Sequence, residues 1–106
     1  MPSGTESLED IEKIVPGISH RKMMGEYLLY KDGKLFGGIY DDRLLLKITK
    51  ATASVEGWPS AFPYDGGGEM ILVTRPFDAD LLNRVIDDML KELPAPKKGQ
   101  RTIRAS

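Results

Sequence analysis

The chain has 106 residues, 41% hydrophobic and 29% charged, with no cysteine and a net charge of −1. That length fits one domain, which buries roughly 65% of the surface of its unfolded chain and so holds a core without staples. The missing cysteines exclude a disulfide framework and a thiolate metal site or nucleophile, and they fit a reducing, cytoplasmic compartment. The opening MPSGTESLEDIEK has neither the basic nor the apolar region of a secretory signal, and no apolar run approaches the ~20 residues of a membrane span.

The first element in chain order is a helix. Leu8, Ile11, Ile14 and Val15 fall on one face at helical spacing. Ser7 is placed to cap it, with Asp10 three residues on as an imperfect capping box, and Pro16-Gly17 stops it. A turn containing His20 follows, then a strand over residues 25–31, the turn Asp32-Gly33 and a strand over 34–40. Asp-Gly supplies the positive φ angles of a tight hairpin. Asp41-Asp42 marks a second turn before a strand over 43–48. Residues 49–69 are rich in Ala, Ser, Gly and Pro and read as a short helical turn near 52–56, then a loop. Residues 70–74 form a fourth strand. The last helix is the clearest: Leu81, Leu82, Val85, Ile86, Met89, Leu90 and Leu93 recur at three and four, Asp78 is its N-cap, and Pro94 ends it. Phe77 and Leu82 occupy the two positions of a hydrophobic staple.

The order defines a two-layer α+β fold. It has a four-stranded, mainly antiparallel sheet with the N- and C-terminal helices on one face. The domain spans residues 1–95. Residues 96–106 form a basic tail, disordered by composition. Residues 94–106 hold four bases (Lys97, Lys98, Arg101, Arg104) and no acid; the remaining 11 bases and all 16 acids give residues 1–93 a net charge of −5. An acidic body argues against a dedicated nucleic-acid binder.

With two-residue loops at both turns, Leu29 faces Phe36, Tyr27 faces Gly38 and Tyr40 faces Arg43. Alternation then puts Leu28, Tyr30, Leu35, Gly37, Ile39, Leu44, Leu46 and Ile48 on the core face. The other face carries Tyr27, Leu29, Lys31, Lys34, Phe36, Gly38, Tyr40, Arg43, Leu45 and Lys47, aromatic and basic without an acid. Tyr27, Lys34, Phe36, Tyr40, Arg43 and Lys47 are therefore the candidate binding residues. Such a face stacks on aromatic ligands and attracts anions, or is covered by residues 49–69 or by a second subunit.

No catalytic, metal or cofactor site stands out. His20 is the single histidine and needs an orienting carboxylate and a nucleophile to act. The pairs Asp41-Asp42 and Asp87-Asp88 lack partnering histidines. Gly66-Gly67-Gly68 is followed by Glu69 and a strand, not by the Lys-Ser or Lys-Thr and helix of a phosphate loop. Met23-Met24-Gly25 suits an adaptable contact surface or core filling.

The run from Arg21 to Phe36, RKMMGEYLLYKDGKLF, resembles the opening of the TfoX N-terminal domain family. The segment Asp42-Arg43-Leu44-Leu45-Leu46-Lys47 is similar to a later motif of that family, as are Phe62-Pro63-Tyr64 and Gly68-Glu69-Met70. The resemblance covers roughly residues 8–93. It implies a two-layer α+β fold and a link to TfoX/Sxy-type regulators of bacterial competence, in which this domain precedes a helical one. The expectation is a stand-alone domain of that type, with no catalytic residue to transfer. The leading expectation of function is a non-catalytic regulatory module acting through a protein partner or as a homodimer, with no membrane partner. The alternative is small-ligand or nucleic-acid binding through the aromatic-basic face, and an enzyme is the third reading.

Overall fold

The computed structural model describes residues 6–23 and 26–94. Its elements run α1 (Glu6–Ile14), β1 (Ile18–Met23), β2 (Glu26–Lys31), β3 (Lys34–Tyr40), β4 (Arg43–Leu46), α2 (Lys50–Ala53), β5 (Ser60–Ala61), β6 (Met70–Leu72) and α3 (Ala79–Glu92). One antiparallel sheet joins six strands in the order β1-β2-β3-β4-β6-β5. The class is α+β, as the sequence indicates, with two strands more than expected. The additional strands, β1 and β5, lie at the two edges. In β1 the sequence ISHRKM shows no alternation; its strand character comes from pairing along its whole length with β2, Ile18 opposite Lys31 through Met23 opposite Glu26. His20 therefore sits on an edge strand and not in a turn. The basic tail expected from residue 96 lies outside the described residues, as does Met24-Gly25.

Both hairpin turns form for the reason their residues give. Asp32 and Gly33 have φ of 54° and 76°, and Asp41 and Asp42 have 56° and 58°. Glycine and aspartate tolerate this left-handed region best. The Asp41-Asp42 turn is also tied to α1. The Ser7 N–H donates to Asp42 Oδ1 at 3.0 Å and its hydroxyl donates to the Asp42 carbonyl at 2.8 Å. Ser7 is thus buried inside the first helical turn and not at the cap the sequence suggested. The N-cap of α3 is as expected, with the Asp78 side chain accepting from the Leu81 N–H. At α2, Glu92 accepts from the N–H groups of Lys50 and Ala51 and so fastens this short helix to the end of α3.

Helices α1 and α3 share one core with the sheet. Ile11 of α1, Val15 just after it, and Leu82, Ile86 and Met89 of α3 are closed off from solvent together with Leu29, Phe36, Ile39, Leu44 and Leu46. Each such burial contributes about 1.5–3 kcal/mol. The expected partners Ile39, Leu44, Leu46, Leu82, Ile86 and Met89 are all in this cluster. Leu28 and Tyr30 are not.

A single β-bulge causes the difference. At the turn, Lys31 pairs with Lys34 and Tyr30 with Leu35, but Leu29 then pairs with Gly37, leaving Phe36 as the extra residue on β3. Beyond the bulge Leu28 pairs with Gly38 and Tyr27 with Ile39. A bulge puts two residues opposite one and shifts the alternation by one. In β3 and β4 after the bulge, Ile39, Leu44 and Leu46 point to the helices as expected, whereas Ile48, expected beside them, lies past the end of β4 and is exposed next to the outer face. In β2 and at the start of β3 the expected faces are exchanged. Tyr27, Leu29, Lys31, Lys34 and Phe36 face the helix layer, and Leu28, Tyr30 and Leu35 face away from it.

Candidate functional site

The six candidate binding residues do not share one face. Phe36 is fully buried in the core, and Tyr27 packs against that core with an edge-on contact to His20 at 5.5 Å between ring centroids. Lys34 reaches α3, where its Nζ donates to the Leu90 carbonyl at 2.7 Å. This satisfies a carbonyl in the last helical turn and sets a positive charge at the negative end of the helix. Lys31, beside it, pairs with Asp87 at 3.4 Å. Only Tyr40, Arg43 and Lys47 lie on the face away from the helices. The aromatic-basic surface is thus divided by the bulge, and two of its bases are engaged with α3. The surface that the small-ligand or nucleic-acid alternative draws on is therefore not continuous.

The outer face has a different character, set by the loop that follows β5. Arg43 is the anchor: its Nη2 donates to the carbonyls of Phe62 and Pro63 at 3.3 and 3.2 Å, and its Nε donates to the Tyr40 carbonyl at 3.2 Å. Pro63 is buried by this, and Tyr64 is brought against Tyr40, with ring centroids 6.2 Å apart and planes at 56°. So residues 49–69 do cover part of the face, over β3 and β4. Over β2 and β1 they leave a hollow of about 490 Å³ lined by Met23, Glu26, Leu28, Tyr40 and Tyr64. A smaller hollow of about 260 Å³, whose lining includes Leu35, Lys47, Ile48 and Met70, lies on the other side of the same two tyrosines.

Tyr40 is the fixed wall of both hollows. It is 9% exposed, and burial raises its phenol above the ordinary value of 10.0, helped by Tyr64, Glu26 and Tyr30 nearby. Its hydroxyl is therefore neutral at pH 7. Tyr64 is the exposed wall, 57% accessible to solvent. Met23, Glu26, Leu28 and Tyr64 were not among the sequence candidates. Strict alternation puts Leu28 on the core face, and the bulge moves it to the outer one. Met23 and Glu26 lie at the β1–β2 hairpin, whose first strand has no sequence pattern. Tyr64 was visible only as part of Phe62-Pro63-Tyr64, without a location.

The remaining polar constellations lie elsewhere. His20 Nδ1 meets Glu12 Oε2 at 2.6 Å on the helix side of edge strand β1. Arg75 bridges α1, contacting Asp10 at 3.1 Å and Ser7 Oγ at 2.6 Å, and its guanidinium lies over the Phe77 ring.

The fold and this face define a small α+β domain whose sheet is packed by helices on one side and partly roofed by a loop on the other. The family model of the TfoX N-terminal domain matches residues 9–67, more than half of the chain. The chain belongs to the TfoX N-terminal domain family. The matched segment runs from α1 to the loop after Tyr64 and includes every described residue that lines the larger hollow. No curated protein and no solved structure matches the chain.

Proposed function

We propose that this chain is a non-catalytic interaction domain of the TfoX type, working through protein–protein contacts on the outer sheet face. One observation carries the reading. Met23, Ile48, Phe62 and Tyr64 are the large hydrophobic residues left exposed among those described, and three of the four lie with Tyr40 in the two outer hollows. Those three are Met23, Ile48 and Tyr64; Phe62 sits two residues before Tyr64 on the roofing loop, where Arg43 holds its carbonyl. Scattered exposed apolar residues are ordinary, but a contiguous apolar patch beside a cleft marks a docking surface. Aromatic residues and methionine are the types enriched at such surfaces. The walls are thioether, leucine methyls, two phenols and one carboxylate, a set suited to holding a partner. A regulatory role of the kind TfoX-type competence proteins suggest belongs to this same proposal.

The test is site-specific photo-crosslinking in cells expressing the chain, with the crosslinking residue at Phe62 or, as a control, at Arg84 on exposed α3. Position 62 gives a discrete adduct, with a protein partner or a second copy, and Tyr64→Ser removes it. Equal yields from both positions, or an adduct indifferent to Tyr64, would sink the proposal.

A further inference from the structure

The larger hollow holds more chemistry than an apolar cleft requires. Two tyrosine rings line it, their centroids 6.2 Å apart and their planes at 56°. Cations are attracted to ring faces within about 6 Å of the centroid, and more strongly when removed from water. Glu26 lines the same space with a carboxylate. Among the described residues no ion pair forms to Glu26: the bridges present join Glu12, Asp87, Asp10 and Asp88 to other partners. Met23 and Leu28 complete the wall with a polarizable thioether and methyl groups, which accept alkyl carbon next to a charge. A carboxylate inside an aromatic and apolar wall repels anions and offers a cation its counter-charge. The phenol of Tyr40 registers this field, since Glu26 is one of the groups that hold it protonated.

We infer that the hollow between Tyr40, Tyr64 and Glu26 is a binding site for an organic alkylammonium group, presented by the docking partner as the end of a lysine or methylated lysine side chain. The inference rests on the outer face being the docking surface. It adds the chemical group that the surface reads. The rings and methyls take the alkyl part, and the ring faces and Glu26 take the charge.

The probe is choline chloride, titrated into the full chain at constant ionic strength and followed by NMR of the Met23 methyl and the tyrosine rings. Its neutral carbon isostere, with a quaternary carbon in place of the nitrogen, is titrated in parallel. Choline gives a saturable shift, and the isostere binds at least about fivefold more weakly, the size of one aromatic–cation contact. Glu26→Gln and Tyr64→Ala each weaken choline by about fivefold or more, and Tyr64→Phe stays within about twofold, because the ring face is kept. Position 64 is exposed, so its variants keep the fold, which circular dichroism verifies. No saturable shift, an isostere that binds as well as choline, or an unchanged Glu26→Gln variant overturns the inference. The two claims fail separately. Crosslinking from Phe62 without choline binding removes the ammonium site and leaves the docking face. Choline binding without crosslinking leaves the site and removes the protein-contact reading.

Discussion

The Tyr40 ring lies over Gly38 on the outer face of β3. A Cβ at residue 38 would stand 2.7 Å from Tyr40 Cε2 and 2.6 Å from the Tyr27 carbonyl oxygen. Residues two apart on a strand share a face, so the missing side chain of Gly38 is the space in which the Tyr40 ring rests. Gly38→Ala must relieve contacts with both the Tyr27 carbonyl oxygen and the Tyr40 ring, at about 1–3 kcal/mol for such overpacking. Urea unfolding measures the loss, and Gly68→Ala, where a Cβ meets nothing within 4 Å, serves as the control, with a change within about 0.5 kcal/mol.

Phe36 is the residue the bulge turns inward. As a fully buried side chain it should cost about 3–5 kcal/mol on replacement by Ala, with about 2–5 kcal/mol for Ile86→Ala. Phe36→Ala should leave the oligomeric state of the folded fraction unchanged in sedimentation, because Phe36 is not on a surface. A loss below about 0.5 kcal/mol for Phe36→Ala would put it back on the outer face and remove the bulge.

Lys34 and Lys47 are both strand lysines that sequence reading assigned to one binding face, and the structure gives them different work. Lys34→Met leaves the Leu90 carbonyl without its donor and should cost about 1 kcal/mol. Lys47→Met should stay within about 0.5 kcal/mol. Equal effects of the two in thermal unfolding would contradict the placement of Lys34 at the end of α3.

The hairpin turns, the helix α3 with its Asp78 cap and most of the helical core were legible because each rests on local chemistry: positive φ at Asp-Gly, a side-chain acceptor before a helix, an apolar stripe at helical spacing. The sheet faces were legible only in part. The β2 sequence EYLLYK offers apolar side chains to both sides, so alternation alone does not choose between Leu28 and Leu29 for the core. The signal that decides it was present as Gly37-Gly38, since glycine inside a strand often marks a bulge or a close backbone approach. Gly37 in fact has no room for a Cβ beside the Leu45 carbonyl. The outer hollow depends on Arg43 reaching Phe62 and Pro63, 19 and 20 residues away, and on edge strand β1. Neither follows from local pattern.

Tyr40 also sets an expected response to alkaline pH. Its folded-state phenol holds its proton above the ordinary value of 10.0, so the folded chain binds more protons than the unfolded chain in that range. The resulting stability is fully present below the ordinary value and is lost as pH rises through the higher, folded value. Absorbance titration of the tyrosines should show one of the four ionising last, and Tyr40→Phe should remove that step and reduce the alkaline loss of stability. A Tyr40→Phe variant with the same alkaline profile as the parent would contradict the burial of this ring.

The central claim is that the outer sheet face, and not the helix face, meets a partner. Oxidative footprinting of the purified chain and of the same chain inside expressing cells tests it most directly. Met23, Phe62 and Tyr64 should be readily modified in the purified chain and protected in cells, with exposed residues of α3 such as Arg84 and Lys91 changing little between the two. Equal modification of Met23, Phe62 and Tyr64 in both settings, or protection confined to α3, would contradict the account.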